Sequence, residues 1–341
     1  MKKYVLRAVF LALLGFLAIS CSTDKGIQQI LGTTAEAPVF LDCRPVSPTE
    51  IVFKFSASVR VVTLEFDSDL GAVSIEEGQT VKIAVKNPIE PARRIIADIL
   101  VEDADRNTLN VIVPFRGRND RMPALVFNEL RTEYTKPKAE FVEFHTPEPG
   151  NLGALRLFIA GYSLTKPAYE FPPVEVKAGE YIVLHLRTVE EGCVDETGTD
   201  LALSGGTDAL STARDFWISG NTKLIHMTDA LWLLDQDDRI IDAVLLSENS
   251  GTEWGTTKFA KAAAEAAAFL GRENAWLPRS GYPPERWIPD PSSAVITGGT
   301  TNTRTICRDE TLPAERRAGN WYITATSSAT PGKKNSEKRY Q

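Results

Sequence analysis

The chain has 341 residues, 43% hydrophobic and 24% charged, enough for two domains with cores of their own and too apolar for a disordered polymer. Its formal net charge of −7 weighs against non-specific binding to nucleic acid or to anionic membrane surfaces. No HExxH, GxSxG, P-loop or GxGxxG pattern occurs, and no CxxC or Cys/His cluster offers a zinc site.

The chain opens on a leader. Lys2, Lys3 and Arg7 precede an apolar run over 8–19, which is too short to span a bilayer comfortably. The run ends Leu17-Ala18-Ile19-Ser20-Cys21. Small residues before a cysteine resemble the lipobox of bacterial lipoproteins. That resemblance implies cleavage of residues 1–20 and acylation of Cys21 with palmitate-class chains. A plain secretory signal cut elsewhere is the alternative. Ser22 stands where an Asp would retain some lipoproteins at the inner membrane. The expected location is therefore the cell envelope, lipid-anchored at the outer membrane or cell surface rather than the inner membrane. Without three leader cations the mature chain carries 35 Lys and Arg (38 less three) against 45 Asp and Glu, a net charge near −10. Cys43, Cys193 and Cys307 remain, an odd number. A Cys193–Cys307 bridge and three unpaired thiols are both open readings.

Residues 21–36 are polar and turn-rich and read as a tether. Residues 37–116 read as all-β. Alternating segments fall at 50–59, 61–66, 71–75, 80–85, 94–101 and 109–115, punctuated by Asp67-Ser68-Asp69, Glu77-Gly78, Asn87-Pro88 and 103–107. Short strands at this spacing predict a β-sandwich. The stretch 45–56, PVSPTEIVFKFS, is similar to a strand near the start of bacterial Ig-like domains of surface proteins. A charged linker, 117–122, follows.

Residues 123–144 hold two apolar runs around a polar connection, with Asn128-Glu129 closing the first and Glu140 and Glu143 bracketing the second. Further on come Gly161-Tyr162-Ser163-Leu164, the run 171–184 (FPPVEVKAGEYIVL), the acidic hairpin of 231–244, Trp321, and the closing Ala329-Thr330-Pro331-Gly332 with Asn335. In this order the segments resemble a lamin tail domain, an Ig-like β-sandwich, over 123–335. The resemblance implies an interaction module found in bacterial secreted and envelope proteins, sometimes beside hydrolase domains. Two stretches exceed the family's usual length. Residues 188–216 read as a long Gly-, Thr- and Asp-rich loop. An insertion at about 247–300 carries an alanine-rich helix over 257–270, with Phe259, Ala263, Ala266 and Leu270 on one face and Gly271 as its stop. The last residues, 336–341, read as a solvated basic tail, with contact to a polyanion as a lesser alternative.

Candidate sites are sparse. His145, His185 and His226 share no motif, and Ser163 with Lys166 lacks the partner motifs of penicillin-recognising enzymes. Asp235, Asp237 and Asp238 offer hard oxygen ligands for calcium, but Asp also populates hairpin turns for its backbone hydrogen bonding. Asp103 and Asp105 present the same choice. Trp254, Trp276, Tyr282 and Trp287 are candidates for an exposed platform for sugar or peptide. Their alternative role is to pack the inserted helix on the sandwich. Trp232 and Trp321 sit in strand patterns and are expected in the core. Asn128, Glu129, Glu140 and Glu143 are expected as strand-edge and turn residues. The expectation is an all-β chain of two tandem immunoglobulin-like sandwiches, the second with a helix-containing insertion. It would act without catalysis or cofactor as an anchored binding, adhesion or scaffold module for a protein or glycan. A hydrolase, or a subunit accessory to one, with a site in 247–300 is the alternative.

Overall fold

The computed structural model describes residues 37–341, so the expected leader, Cys21 and the expected tether lie outside the described residues. Two compact units form, divided between Arg118 and Asn119. The expected linker is shared out between them. Gly117 is fastened to the first unit by hydrogen bonds with Arg93 and Ala92, both 2.9 Å. Asn119 is fastened to the second, where its side-chain amide donates to the carbonyls of Asn151 (2.7 Å) and Gly153 (2.8 Å).

The first unit is one antiparallel sheet: β1 (Phe40–Ser47), β2 (Glu50–Phe66), β3 (Ala72–Glu76), β4 (Gly78–Val85), β5 (Arg94–Asp103) and β6 (Thr108–Arg116). β2 runs through the two stretches read separately as 50–59 and 61–66, because no turn residue separates them. Its first half pairs with β1 on one side and β4 on the other, and its second half pairs with β5. The β2–β4 register breaks between Lys54 and Val59, across Ser56-Ala57-Ser58. β1 escaped the alternation pattern, since it is irregular at both ends and contains Pro45. Ile51, Phe53, Phe55, Val81, Ile83, Ile95, Ile99 and Val101 point inward as period-2 rows and form the core.

The second unit is a two-sheet sandwich. One sheet has the order β14 (Arg214–Trp217), β13 (Tyr181–His185), β8 (Phe141–His145), β7 (Val126–Arg131), β18 (Ile306–Arg308), β19 (Trp321–Ile323). The other has the order β11 (Tyr169–Glu170), β10 (Arg156–Ile159), β15 (Asp229–Leu234), β16 (Ile240–Ser247), β17 (Val295–Ile296). Two short strands, β9 (Gly150–Asn151) and β12 (Glu175–Val176), pair beside them. Phe127, Leu130, Val142, Phe144, Ile182, Leu184 and Ile306 of the first sheet share a core with Leu157, Leu231, Leu233 and Val244 of the second. Trp232 and Trp321 are buried, as their strand patterns predict. The long loop and the insertion each end in a strand that joins a sheet edge in parallel, β14 beside β13 and β17 beside β16. Both stretches are therefore parts of the sandwich. Among the described residues no helix is long and apolar enough to cross a membrane.

The insertion's helix α1 (Lys258–Arg272) packs on β15 and β16 through Ala260, Ala263, Ala266, Ala267 and Leu270. Alanine lets the helix axis come close to the sheet. Thr257 caps its start, the hydroxyl accepting from the Ala260 amide at 3.1 Å. The helix does not stop at Gly271. It ends at Arg272 with Glu273 as its C-cap, followed by Asn274 at φ 52°. Gly271 has another reason: a Cβ there would lie 2.7 Å from Pro289 Cδ and 2.8 Å from the Trp287 carbonyl. Gly271→Ala should therefore destabilise the second unit by about 1–3 kcal/mol from overpacking. Helix propensity alone would give a gain of about 1 kcal/mol. Urea unfolding followed by tryptophan fluorescence decides the sign, since all six tryptophans lie in this unit.

The side chains of 337–341 are exposed, as expected of a solvated tail, yet the backbone there is docked. Arg339 bridges to Thr324 and pairs with Asp309 at 2.5 Å, and the Tyr340 amide donates to the Ile323 carbonyl at 2.8 Å. An edge of unpaired β19 backbone draws the segment in.

Candidate functional site

Asn128, Glu129, Glu140 and Glu143 are not edge or turn residues. All four are at most 1% exposed. The sheet register explains it: Glu143, Glu129 and Cys307 form one row across β8, β7 and β18, on the face turned away from the sandwich core. The closing segment around 330–335 lies over that row. Glu129 accepts hydrogen bonds from the Thr305 hydroxyl and from the Thr330 amide (3.1 Å) and hydroxyl (3.0 Å). Glu143 accepts from the Asn128 amide (2.8 Å) and the Gly332 N–H (2.5 Å). Asn335 donates to the Arg308 carbonyl (2.9 Å) and to Asn128. Burial pushes both carboxyls up, Glu143 further because Glu129 repels it, and burial also raises the Cys307 thiol well above its usual value. The cluster fastens the chain's last segment to its second unit's first strand. Its groups are consumed by that task.

The histidines stand apart. His185 Nε2 lies 2.7 Å from Asp215 Oδ1, and its ring stacks on Trp217 at 3.7 Å, both under the loop of 188–213. His145 packs at a tilt against Tyr181, centroids 5.0 Å apart, and burial lowers its pKa. His226 stacks on Phe259 at 3.5 Å, and burial, aided by Lys223 and Lys258, lowers it to about 4.

The four candidate aromatics do not make a platform. Trp276 is fully buried, its indole N–H donating to the Ser293 carbonyl at 3.0 Å. Trp254 and Trp287 are half-buried against the core, and Tyr282 is 91% exposed. The inserted segment lays its indoles beneath and beside the helix because that is the apolar surface it must cover. Asp235, Asp237 and Asp238 form a hairpin turn. Asp235 accepts from the amides of Asp237 (2.8 Å) and Arg239 (2.9 Å), while Asp238 pairs with Arg156 at 2.7 Å. Asp103 likewise accepts from the amides of Asp105 and Asn107, both at 2.9 Å. Ser163 accepts from the amides of Thr165 and Lys166 in a turn. Cys43, Cys193 and Cys307 are free thiols, so the Cys193–Cys307 bridge does not form. Among the described residues no three His, Cys, Asp or Glu are placed to hold a metal ion.

Among the described residues three surface hollows can be compared. One, of about 310 Å³, lies in the first unit at Arg60, Glu77 and Glu102 and has no aromatic in its lining. A second, of about 290 Å³, also holds an aromatic, Tyr322, with Arg339 over its ring at 4.3 Å, but it is lined by the charged side chains of Asp309, Glu310, Lys334, Glu337 and Arg339. The third, of about 330 Å³, is lined by Glu133, Tyr134, Thr135, Met227 and the 300–302 segment. It gathers the β7–β8 loop, the residues before β15 and the turn before β18, all at one end of the second unit. Its aromatic is braced by an arginine. The Arg187 guanidinium lies against the Tyr134 ring, 4.2 Å from the centroid. Arg187 is itself held by both oxygens of buried Glu140 and by Asn221 Oδ1 (2.7 Å). On the rim Glu133 pairs with Lys223 at 3.1 Å. No sequence pattern singled out Tyr134. The available signal was an aromatic in an otherwise polar loop, ELRTEYTKPKAE.

Comparison with known proteins places the second unit. An uncharacterized protein of Treponema pallidum (strain Nichols) is 30% identical over 180 residues, 52% of this chain and 46% of that protein. The chain thus spans about half the length of the curated relative it matches. Residues 123–323, more than half of the chain, match the family TP_1001_2nd, described as a protein second domain. That match begins five residues after the boundary between the units and runs to the end of β19, so the family's domain coincides with the sandwich that carries the Tyr134 hollow. The chain belongs to the TP_1001_2nd family.

Proposed function

We propose that this chain is a lipid-anchored module of the bacterial cell envelope that binds a partner without transforming it, and that its second unit is lamin-tail-like. The observation that carries the binding reading is the Tyr134 hollow: a braced aromatic ring among polar groups on a rigid scaffold. The interior supports the same reading, because Glu129, Glu143, Glu140 and Asp242 are each bonded to loops or arginines that they hold in place. The lamin-tail reading draws support from its landmarks. Asn128-Glu129 and Thr330-Pro331-Gly332 with Asn335 meet in one buried cluster. The full-length chain in detergent should show no turnover of phosphodiester, peptide or glycoside panels. Turnover that falls in Glu133→Ala would overturn the reading.

The anchor has its own test. Lys2, Lys3 and Arg7, the apolar run and Ser20-Cys21 support acylation at Cys21, and more than one chain is what stable anchoring takes. Cys21→Ala should abolish labelling by a fatty-acid analogue and release the protein from the membrane fraction. Persistent labelling would sink the anchor.

A further inference from the structure

Resting on the binding reading, we propose that the Tyr134 hollow is a carbohydrate subsite that takes one or two neutral pyranose units. A pyranose presents a face of C–H groups and a rim of hydroxyls. Such a ligand needs a flat apolar surface beside groups that both donate and accept hydrogen bonds. Tyr134 supplies the surface. Arg187 covers one side of its ring, and the ring lines the hollow. Because Glu140 and Asn221 fix that arginine, little side-chain freedom is lost when a ligand stacks on the tyrosine. The rim supplies the polar groups. Asn302 offers a donor and an acceptor and Glu133 a carboxylate, while the Thr135 hydroxyl, which donates to the Tyr134 carbonyl at 2.8 Å, keeps its acceptor side, and the Thr301 oxygen is taken by the amides of Thr303 and Arg304. A volume of about 330 Å³ sits at the small end of the ligand-pocket range, roughly 300–1,000 Å³.

Other ligand classes fit less well. An anion would meet Glu133, whose neighbouring cation Lys223 is already paired with it. A peptide strand would need free backbone N–H and C=O groups in a row. The loops here close on themselves instead, Thr135 with Lys138 and Thr301 with Arg304. An acyl chain would find a polar rim.

The test titrates the full-length chain in detergent with chitohexaose, maltohexaose and mannohexaose, alongside a heparin hexasaccharide and a hexapeptide library, by calorimetry and ligand-observed NMR. At least one neutral hexasaccharide should bind. Tyr134→Ala should weaken it about tenfold, the scale of one lost aromatic stacking contact. Tyr134→Phe should stay within about threefold of the wild type because it keeps the ring. Asn302→Ala should weaken binding about threefold or more with the melting temperature unchanged, which separates contact loss from unfolding. Binding of no neutral oligosaccharide, or binding indifferent to Tyr134→Ala, overturns the carbohydrate assignment. If the heparin fragment or a peptide binds in a Tyr134-dependent way instead, the carbohydrate assignment falls while the hollow stands as a binding site. If no probe depends on Tyr134, both fall.

Discussion

Replacing Asp242 by alanine should lower the stability of the second unit by about 3–5 kcal/mol. Asp242 lies on β16 with its side chain on the core side of the sheet, opposite Leu233 in the register. It reaches across the sandwich to Arg308 on β18, with 2.5 Å between Oδ2 and Nη2, and it also accepts the Phe127 amide at 2.8 Å where β7 bulges. Both side chains are 3% exposed. Burial pushes the Asp242 carboxyl up and the Arg308 guanidinium down, in spite of their attraction. The pair is thus costly to bury, and removing one partner leaves a charge with no compensation and an amide with no acceptor. The double change Asp242→Leu with Arg308→Met should recover most of the loss, since a matched apolar pair replaces a matched ionic one. Tryptophan fluorescence in urea reports on this unit alone, because the first unit has no tryptophan. A single-variant cost under about 1 kcal/mol would mean that Arg308 escapes to water, and the pair would then be no tie between sheets.

Many of the strands could be anticipated because they alternate or run apolar, and period 2 is a local property. The strands of 80–85, 94–101 and 109–115 fall within β4, β5 and β6, and the alanine run within α1. What sequence could not supply was the covering. Glu129 and Glu143 alternate with apolar residues as solvent-facing positions do, and they are buried only because residues 330–335, nearly two hundred positions away, close over them. The same holds for the indoles of the insertion. Their spacing says aromatic-rich, but whether Trp276 faces water or core depends on where Ser293 and α1 stand. Gly271 illustrates the reverse error. Glycine after an apolar helix reads as a stop, yet here it answers a backbone that approaches from 287–289. Tyr134 escaped notice for want of any periodicity, since an irregular loop has none.

The pH dependence of stability should bear the mark of buried carboxyls. Asp229 is fully buried at the start of β15, and burial pushes its carboxyl up to about 7 from 3.8. Amides of Gly161 (2.8 Å), Ala230 (2.9 Å) and His226 (3.0 Å) pull the other way. A carboxyl raised on folding binds its proton more tightly in the native state. Its contribution is fully present below about 3.8 and is lost as pH rises through about 7, a change of up to roughly 4 kcal/mol. His226, lowered to about 4, acts with the opposite sign: its contribution is present above 6.5 and lost as pH falls. Absolute stability mixes the two, so the informative quantity is the difference between wild type and Asp229→Asn, in which the histidine is common to both. That difference should shift against the wild type between pH 4.5 and pH 8 in urea titrations. Glu143→Gln should give the same trend, because burial and the repulsion of Glu129 raise that carboxyl too. Parallel stability curves for wild type and Asp229→Asn would overturn the expectation. Three backbone amides would then outweigh the cost of burial, and the corner at Gly161 and His226 would be built around a permanent anion.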